Sequence, residues 1–387
     1  MLMPTETFAG VARALGERVA GPAADDVDRS GRFPQETIVE LRRCGLLGAL
    51  VPVRLGGPGV SIQEMAEVVS CLAEYCASSA MVLAMHGIQV ACLVRHAPAA
   101  TLERLIPSLL SGELLLANAN SEVGLGGERR SSLCALEPTP GGFRLEKRAS
   151  TVSYGEYADG VLATARRDPS SPANEQVLAI CLPPDLSVEP TGDWDTLGMR
   201  GTCSRPCLLR ATVSAEMVVE NYGEVFSRTS LPVSAILLSS VWMGLAEAAA
   251  RRAHAAVRAQ ARRERASTPQ APPPPSALRL AELGVILHQL REVMAGGARE
   301  YELVKDSPEV TMLRFSGRMD NLKLSSTTLA SDIVGRAMFI CGLAGYTNDS
   351  PFSIGRLSRD AAAAPLMVNN DRALTAMAQS LLIRKDL

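Results

Sequence analysis

VLATARRDPSSPANEQVLAICL, residues 161–182, contains two six-residue runs, VLATAR (161–166) and VLAICL (177–182), separated by Asp, Pro, Ser and Asn. Each run is apolar or β-branched, too short for a stable helix and closed by turn formers, the pattern of a buried strand. CLLRATV (207–213) repeats it. These runs predict an antiparallel β-domain over residues 117–225.

Helical texture flanks that domain on both sides. Residues 35–50 carry Ile38, Leu41 and Leu46 at helical spacing. Ser61 with Glu64 forms a capping-box pattern that opens a helix from 62 to about 95, so poor in charge that it must be buried on most sides. Downstream, helices are predicted over 239–263, 278–304, 321–341 and 370–383. ASTPQAPPPPSA (266–277) is a stiff connector, since four successive prolines cannot be helical. The fold class is therefore α+β: an N-terminal helical domain (1–116), the β-domain (117–225) and a C-terminal helical bundle (226–387). Without βαβ alternation, a GxGxxG or a P-loop, a doubly wound nucleotide fold is not expected.

Composition narrows the function classes. The net charge is -2 and no basic stripe is present, so neither nucleic acid nor an anionic membrane is an expected partner. No uncharged apolar run of about 20 residues is seen, so no transmembrane helix is expected. The nine cysteines are scattered, with no CxxC, and read as free thiols of a reducing, cytoplasmic compartment. Four histidines without HExxH or a Cys/His cluster give no metal site. Within the apolar helix His86 reads as a packed core residue, His254 and His288 as helix-surface residues, and Glu247 as the i,i+4 partner of Arg251.

Chemistry concentrates in a few segments. In NANSEVGLGGERR (118–130), Gly124, Gly126 and Gly127 let the backbone approach a ligand, and Asn118, Asn120 and Ser121 add polar side chains. KRASTVSYGEYADGVLATARR (147–167) presents Thr151 and Ser153, and DTLGMRGTCSRP (195–206) is a strand-turn. CGLAGYTND (341–349) is a glycine loop, and Arg258, Arg262, Arg263 and Arg265 form a basic cluster suited to a diphosphate.

In this order the segments resemble the acyl-CoA dehydrogenase family over nearly the full chain, the 195–206 piece most closely. The resemblance implies an enzyme that holds FAD between the β-domain and the C-terminal helices, as a homodimer or homotetramer with adenosine contacts from a neighbouring subunit. Carried over position by position, it implies cofactor contacts from Asn118, Asn120, Ser121, Gly126, Gly127, Thr151, Ser153, Arg263, Gly342 and Asn370. Phe339 and Leu343 replace the usual Gln and Gly of the adenosine loop. The implied reaction is α,β-dehydrogenation of an acyl thioester, bound to CoA or to an acyl carrier protein in a biosynthetic pathway. That reaction needs a carboxylate for the α-proton. The two positions that carry it in the family fall on Val368 and Ser234, leaving Asp371 as the nearest carboxylate in sequence. Two alternatives follow: a flavin-dependent monooxygenase on the same scaffold, which needs no such base, or a catalytically inactive partner subunit.

Overall fold

The computed structural model describes residues 7–126, 128–268, 270 and 272–382. The first layer is helical: α1 (Phe8–Leu15), α2 (Gly21–Ser30), α3 (Gln35–Arg43), α4 (Ile62–Ala73), α5 (Ala77–His96) and α6 (Ala99–Ser111). The capping box at Ser61 and Glu64 is formed in both directions and starts α4. The single helix expected over 62–95 is broken after Ala73. The cause is tertiary. A Cβ on Gly16 would lie 2.3 Å from the Tyr75 ring, so that ring occupies the space the glycine leaves, and its hydroxyl donates to Glu17 at 3.0 Å.

Strands follow: β1 (Leu116–Ala119), β2 (Glu137–Thr139), β3 (Gly142–Val152), β4 (Gly160–Arg166), β5 (Gln176–Cys181), β6 (Leu186–Pro190), β7 (Arg205–Val213) and β8 (Val218–Val219). They form two four-stranded sheets, ordered β1-β4-β5-β8 and β2-β3-β7-β6. Pairing is antiparallel except for β1 with β4, which run parallel. The first sheet is covered on both faces, which is why VLATAR and VLAICL show no polar alternation. Lys147 is fully buried on β3; it donates to the Thr164 carbonyl at 2.7 Å and pairs with Glu122 at 3.4 Å.

The C-terminal region comprises α7 (Tyr222–Val225), α8 (Leu231–Ser267), α9 (Pro275–Val304), α10 (Leu313–Cys341), α11 (Leu343–Tyr346), α12 (Gly355–Ala361) and α13 (Asn370–Leu381). The expected end of the last helix, residue 383, lies outside the described residues. α8 begins eight residues before the expected 239 and continues without a break from the helical turns of residues 222–230, with Pro232 inside that run. It packs on α4, α5, α9 and α10. A Cβ on Gly244 would lie 2.1 Å from the Ser70 carbonyl, so α4 and α8 meet backbone to backbone. The expected Glu247–Arg251 pair is not formed. Glu247 takes Arg291 of α9 in a two-pronged contact (2.7 and 2.9 Å), and Arg251 reaches Glu74 at the end of α4. Cross-helix geometry prevails over i,i+4 spacing because these carboxylates face neighbouring helices.

Two helical stretches, Ala77–His96 and Tyr222–Ser267, are long and apolar enough to cross a membrane. Both are mostly buried inside the protein, so their composition is accounted for by core packing.

Candidate active site

A cavity of about 710 Å³ lies where α5, the loops of the β-domain, the start of α8 and residues 359–372 converge. Its position is fixed by buried braces. His86 on α5 accepts from the Leu116 N–H through Nδ1 (3.0 Å), so Nε2 carries the proton and donates to the Leu47 carbonyl (2.9 Å). Burial pushes this imidazole down to about 4, and it stays neutral. Tyr154, fully buried, donates to the Leu116 carbonyl at 2.8 Å, and its backbone N–H donates to Thr202. β1, the 150–155 segment and the 195–206 turn are thereby locked together.

Polar groups gather on the β-domain side. Ser121 Oγ donates to the Thr151 carbonyl (2.8 Å) and accepts from the Thr151 N–H (3.0 Å). Asn120 donates from Nδ2 to the Tyr222 hydroxyl at 2.8 Å, while its Oδ1 is buried without a partner among the described residues. A buried acceptor left unpaired costs about 1–3 kcal/mol, and a ligand N–H would relieve that cost. Thr202 donates to the Met199 carbonyl (2.8 Å), Ser204 stands 2.8 Å from Thr202, and Ser153 stands 2.8 Å from Ser204. With Thr202's proton on that carbonyl, Ser204 donates to Thr202 and Ser153 to Ser204. Ser153 therefore presents lone pairs, an acceptor, to the cavity.

The opposite wall is apolar: Met81, Met85, Ile88 and Leu238. Arg129, Arg359 and Arg372 also line the cavity, and no Asp or Glu does so among the described residues. Val368, a lining residue, has φ 51, a conformation that β-branched side chains rarely adopt. Met199 has φ 54 and is likewise a lining residue. Left-handed backbone thus shapes two walls of the one cavity.

The residues named from sequence divide accordingly. Asn118, Asn120, Ser121, Gly126, Thr151 and Ser153 all line the cavity, as does Ser234. Gly127 lies outside the described residues. Arg263 is exposed far along α8, and Gly342, φ 59, caps α10; neither lines the cavity. Asn370 accepts from the buried Lys323 instead. Asp371 lies exposed in the first turn of α13 and is not a lining residue. Glu122 turns inward, accepting from the Leu133 and Cys134 N–H groups at 3.0 and 2.7 Å. Sequence reasoning missed Arg129, Trp194, Ser204 and Arg359, although the first three lay inside or beside segments already singled out.

Comparison with known proteins fits this architecture. The acyl-CoA dehydrogenase N-terminal domain matches residues 5–113 and the acyl-CoA dehydrogenase C-terminal domain matches residues 236–369. The chain belongs to the acyl-CoA dehydrogenase family. Mitochondrial isovaleryl-CoA dehydrogenase of Pongo abelii is 29% identical over 248 residues, 62% of this chain and only 58% of that protein's length. The amino sugar nitrososynthase RubN8 of Streptomyces rubradiris is 27% identical over 90% of this chain and 83% of its own. The FMN-bound structure of TdsC from Paenibacillus sp. A11-2 superposes with a TM-score of 0.83 at 21% identity, covering 97% of each chain.

The family is one of flavoproteins, and the lining fits a flavin on its own chemistry. The orphaned Asn120 Oδ1 suits a ring N–H, and Ser121, Thr151 and the Ser153–Ser204–Thr202 chain supply a polar rim. The arginines suit ring carbonyls and phosphate.

Proposed function

We propose that the chain is a flavin-dependent monooxygenase that oxygenates a nucleophilic nitrogen of a small substrate. One observation carries this reading: a 710 Å³ cavity lined by arginines, hydroxyls and amides, with no carboxylate among its lining residues. A proton on an acyl α-carbon, unlike one on nitrogen, is not passed through a water chain, so its removal needs a carboxylate in direct contact with that carbon. Val368 and Ser234 offer none, and Asp371 faces outward. The match to RubN8 over 90% of the chain supports the same direction. When bound, a flavin would supply the two-electron reduction of dioxygen. The chain's own contribution is binding and exclusion of water. Asn120, Ser121, Thr151 and Ser153 would hold the ring edge, and Met81, Met85, Ile88 and Leu238 would keep the opposite side dry.

The test supplies FAD, NADH and a flavin reductase to the purified protein with a dTDP-linked 3-amino sugar. The expected result is an oxygen-dependent product that carries at least one oxygen atom from dioxygen on the amine nitrogen. Absence of oxygenated product when the amine is supplied with FAD, NADH, reductase and oxygen overturns the reading.

The apolar wall favours a second reading, α,β-dehydrogenation of an acyl thioester carried by CoA or an acyl carrier protein. Anaerobic bleaching of bound FAD by acyl thioesters is its signature. Self-association belongs to both readings. Phe339 and Leu343 are each 77% exposed and Tyr346 74%, an apolar face that a second copy would cover in a homodimer or homotetramer.

A further inference from the structure

Behind the main cavity lies a second chamber of about 30 Å³, room for one water molecule. The two spaces share Arg129, Ser234, Leu238, Met367 and Val368 as common walls. The chamber adds a carboxylate that the main cavity lacks, Asp320 of α10, together with Lys323 one turn on and Trp242 of α8. Ser234 and Val368, the small and uncharged residues of the partition, separate the substrate space from that carboxylate.

We propose that Asp320 is the proton-accepting group of this site, reached from the main cavity through a water held beside Ser234. The inference rests on the reading of the main cavity as the place where an amine is oxygenated. An ammonium has no lone pair to offer, and a cavity lined by three arginines and no carboxylate disfavours its charge, so an amine that arrives protonated must lose that proton before it reacts. The released proton needs a destination. An N–H bond of the ammonium breaks and its electron pair remains on nitrogen. The water takes that proton and passes one of its own to an Asp320 carboxylate oxygen, forming a carboxylic acid. Charge is conserved: one ammonium and one carboxylate become two neutral groups, and nothing is oxidised or reduced.

The surroundings suit an exchanging group. Burial lifts Asp320 to about 6, while Arg129, from the loop after β1, and Lys323, on its own helix, pull it back. Burial lowers Lys323 to about 8. α8 contributes only uncharged residues to the chamber, and the 367–373 segment contributes Met367, Val368 and Ala373 to it, with Arg372 on the main-cavity side. Asp320 thus holds a proton weakly enough to return it to solvent near neutrality.

The experiment compares Asp320→Asn, Asp320→Glu and Ser234→Leu with the parent protein, each loaded with FAD. Expected are unchanged FAD affinity for Asp320→Asn, unchanged uncoupled peroxide formation without amine, and amine oxygenation slower by about 100-fold at pH 7. The parent's acid limb near pH 6 should vanish in Asp320→Asn and return in Asp320→Glu. Ser234→Leu, which fills the partition, should also remove that limb while Asp320 is intact, and it serves if Asp320→Asn does not fold. A readout independent of turnover is Trp242 fluorescence in a Trp194→Phe background, which should titrate near pH 6 only when Asp320 is present. An acid limb that persists in Asp320→Asn, or a Trp242 titration unaffected by it, overturns the inference and leaves the oxygenase reading standing. A parent protein that binds no flavin, or oxygenates no amine, overturns that reading and the inference with it.

Discussion

Asp360 accepts a 2.6 Å hydrogen bond from the backbone N–H of Met199, joining α12 to the strand-turn at residues 195–206. It holds Met199 in the left-handed conformation, φ 54, that turns the cavity wall. Burial raises this carboxyl from 3.8 to about 6, against the pull of Met199 N–H, Arg356 and Arg359. Between these values the folded protein binds the proton and the unfolded chain does not. Stability from this group is therefore greatest below pH 4 and falls as pH rises to about 6. Asp360→Asn keeps an acceptor and removes the titration. Relative to the parent, the variant should gain on the order of 3 kcal/mol between pH 4 and pH 6, read by urea denaturation at each pH.

Gly198 lies on the other side of the same contact. A Cβ there would stand 2.1 Å from the Arg359 carbonyl oxygen, and backbone cannot swing aside as a side chain can. Gly198→Ala should cost about 3 kcal/mol in denaturant titration. Flavin affinity should fall with it, because Arg359 and Met199 both line the cavity.

Asn120→Leu tests the orphaned acceptor. The variant loses the 2.8 Å bond to Tyr222 and the unpaired Oδ1 together. Flavin affinity, measured by fluorescence quenching, should weaken by about 10-fold. Stability of the flavin-free protein should change by less than about 1 kcal/mol, since an unsatisfied group is removed along with a satisfied one.

Val368 takes φ 51 against its side-chain preference. Val368→Asn, a residue at ease in that region, should raise stability by about 1 kcal/mol in thermal or chemical unfolding. A decrease would mean that the valine side chain contributes more packing than its exposure of 37% allows.

Phe339→Glu places a charge on the exposed apolar face of α10 beside Leu343 and Tyr346, under the Arg279 guanidinium at 5.8 Å. The proposed self-association predicts that the parent protein sediments as an oligomer and this variant as a monomer, with helical content retained.

The sequence by itself determined the order of helix, sheet and helix, because strand runs and capping residues act over a few neighbours. VLATAR and VLAICL became adjacent buried strands, and Ser61 with Glu64 started a helix as local chemistry dictates. The glycine loop at 118–126 and the serine at 153 were legible for the same reason, and they line one cavity. What only the tertiary structure decided was the charge inside that cavity. Asp371 is near Val368 in sequence yet faces out, because the left-handed turn at Val368 leads into a helix that carries it to the surface. Asp320 is distant from Val368 and Ser234 in sequence yet stands behind both, because α8, α10 and the 359–372 segment meet there. A helix presents a new side chain every 100° or so, and which one meets the cavity is set by how helices pack, a long-range outcome that no local pattern encodes.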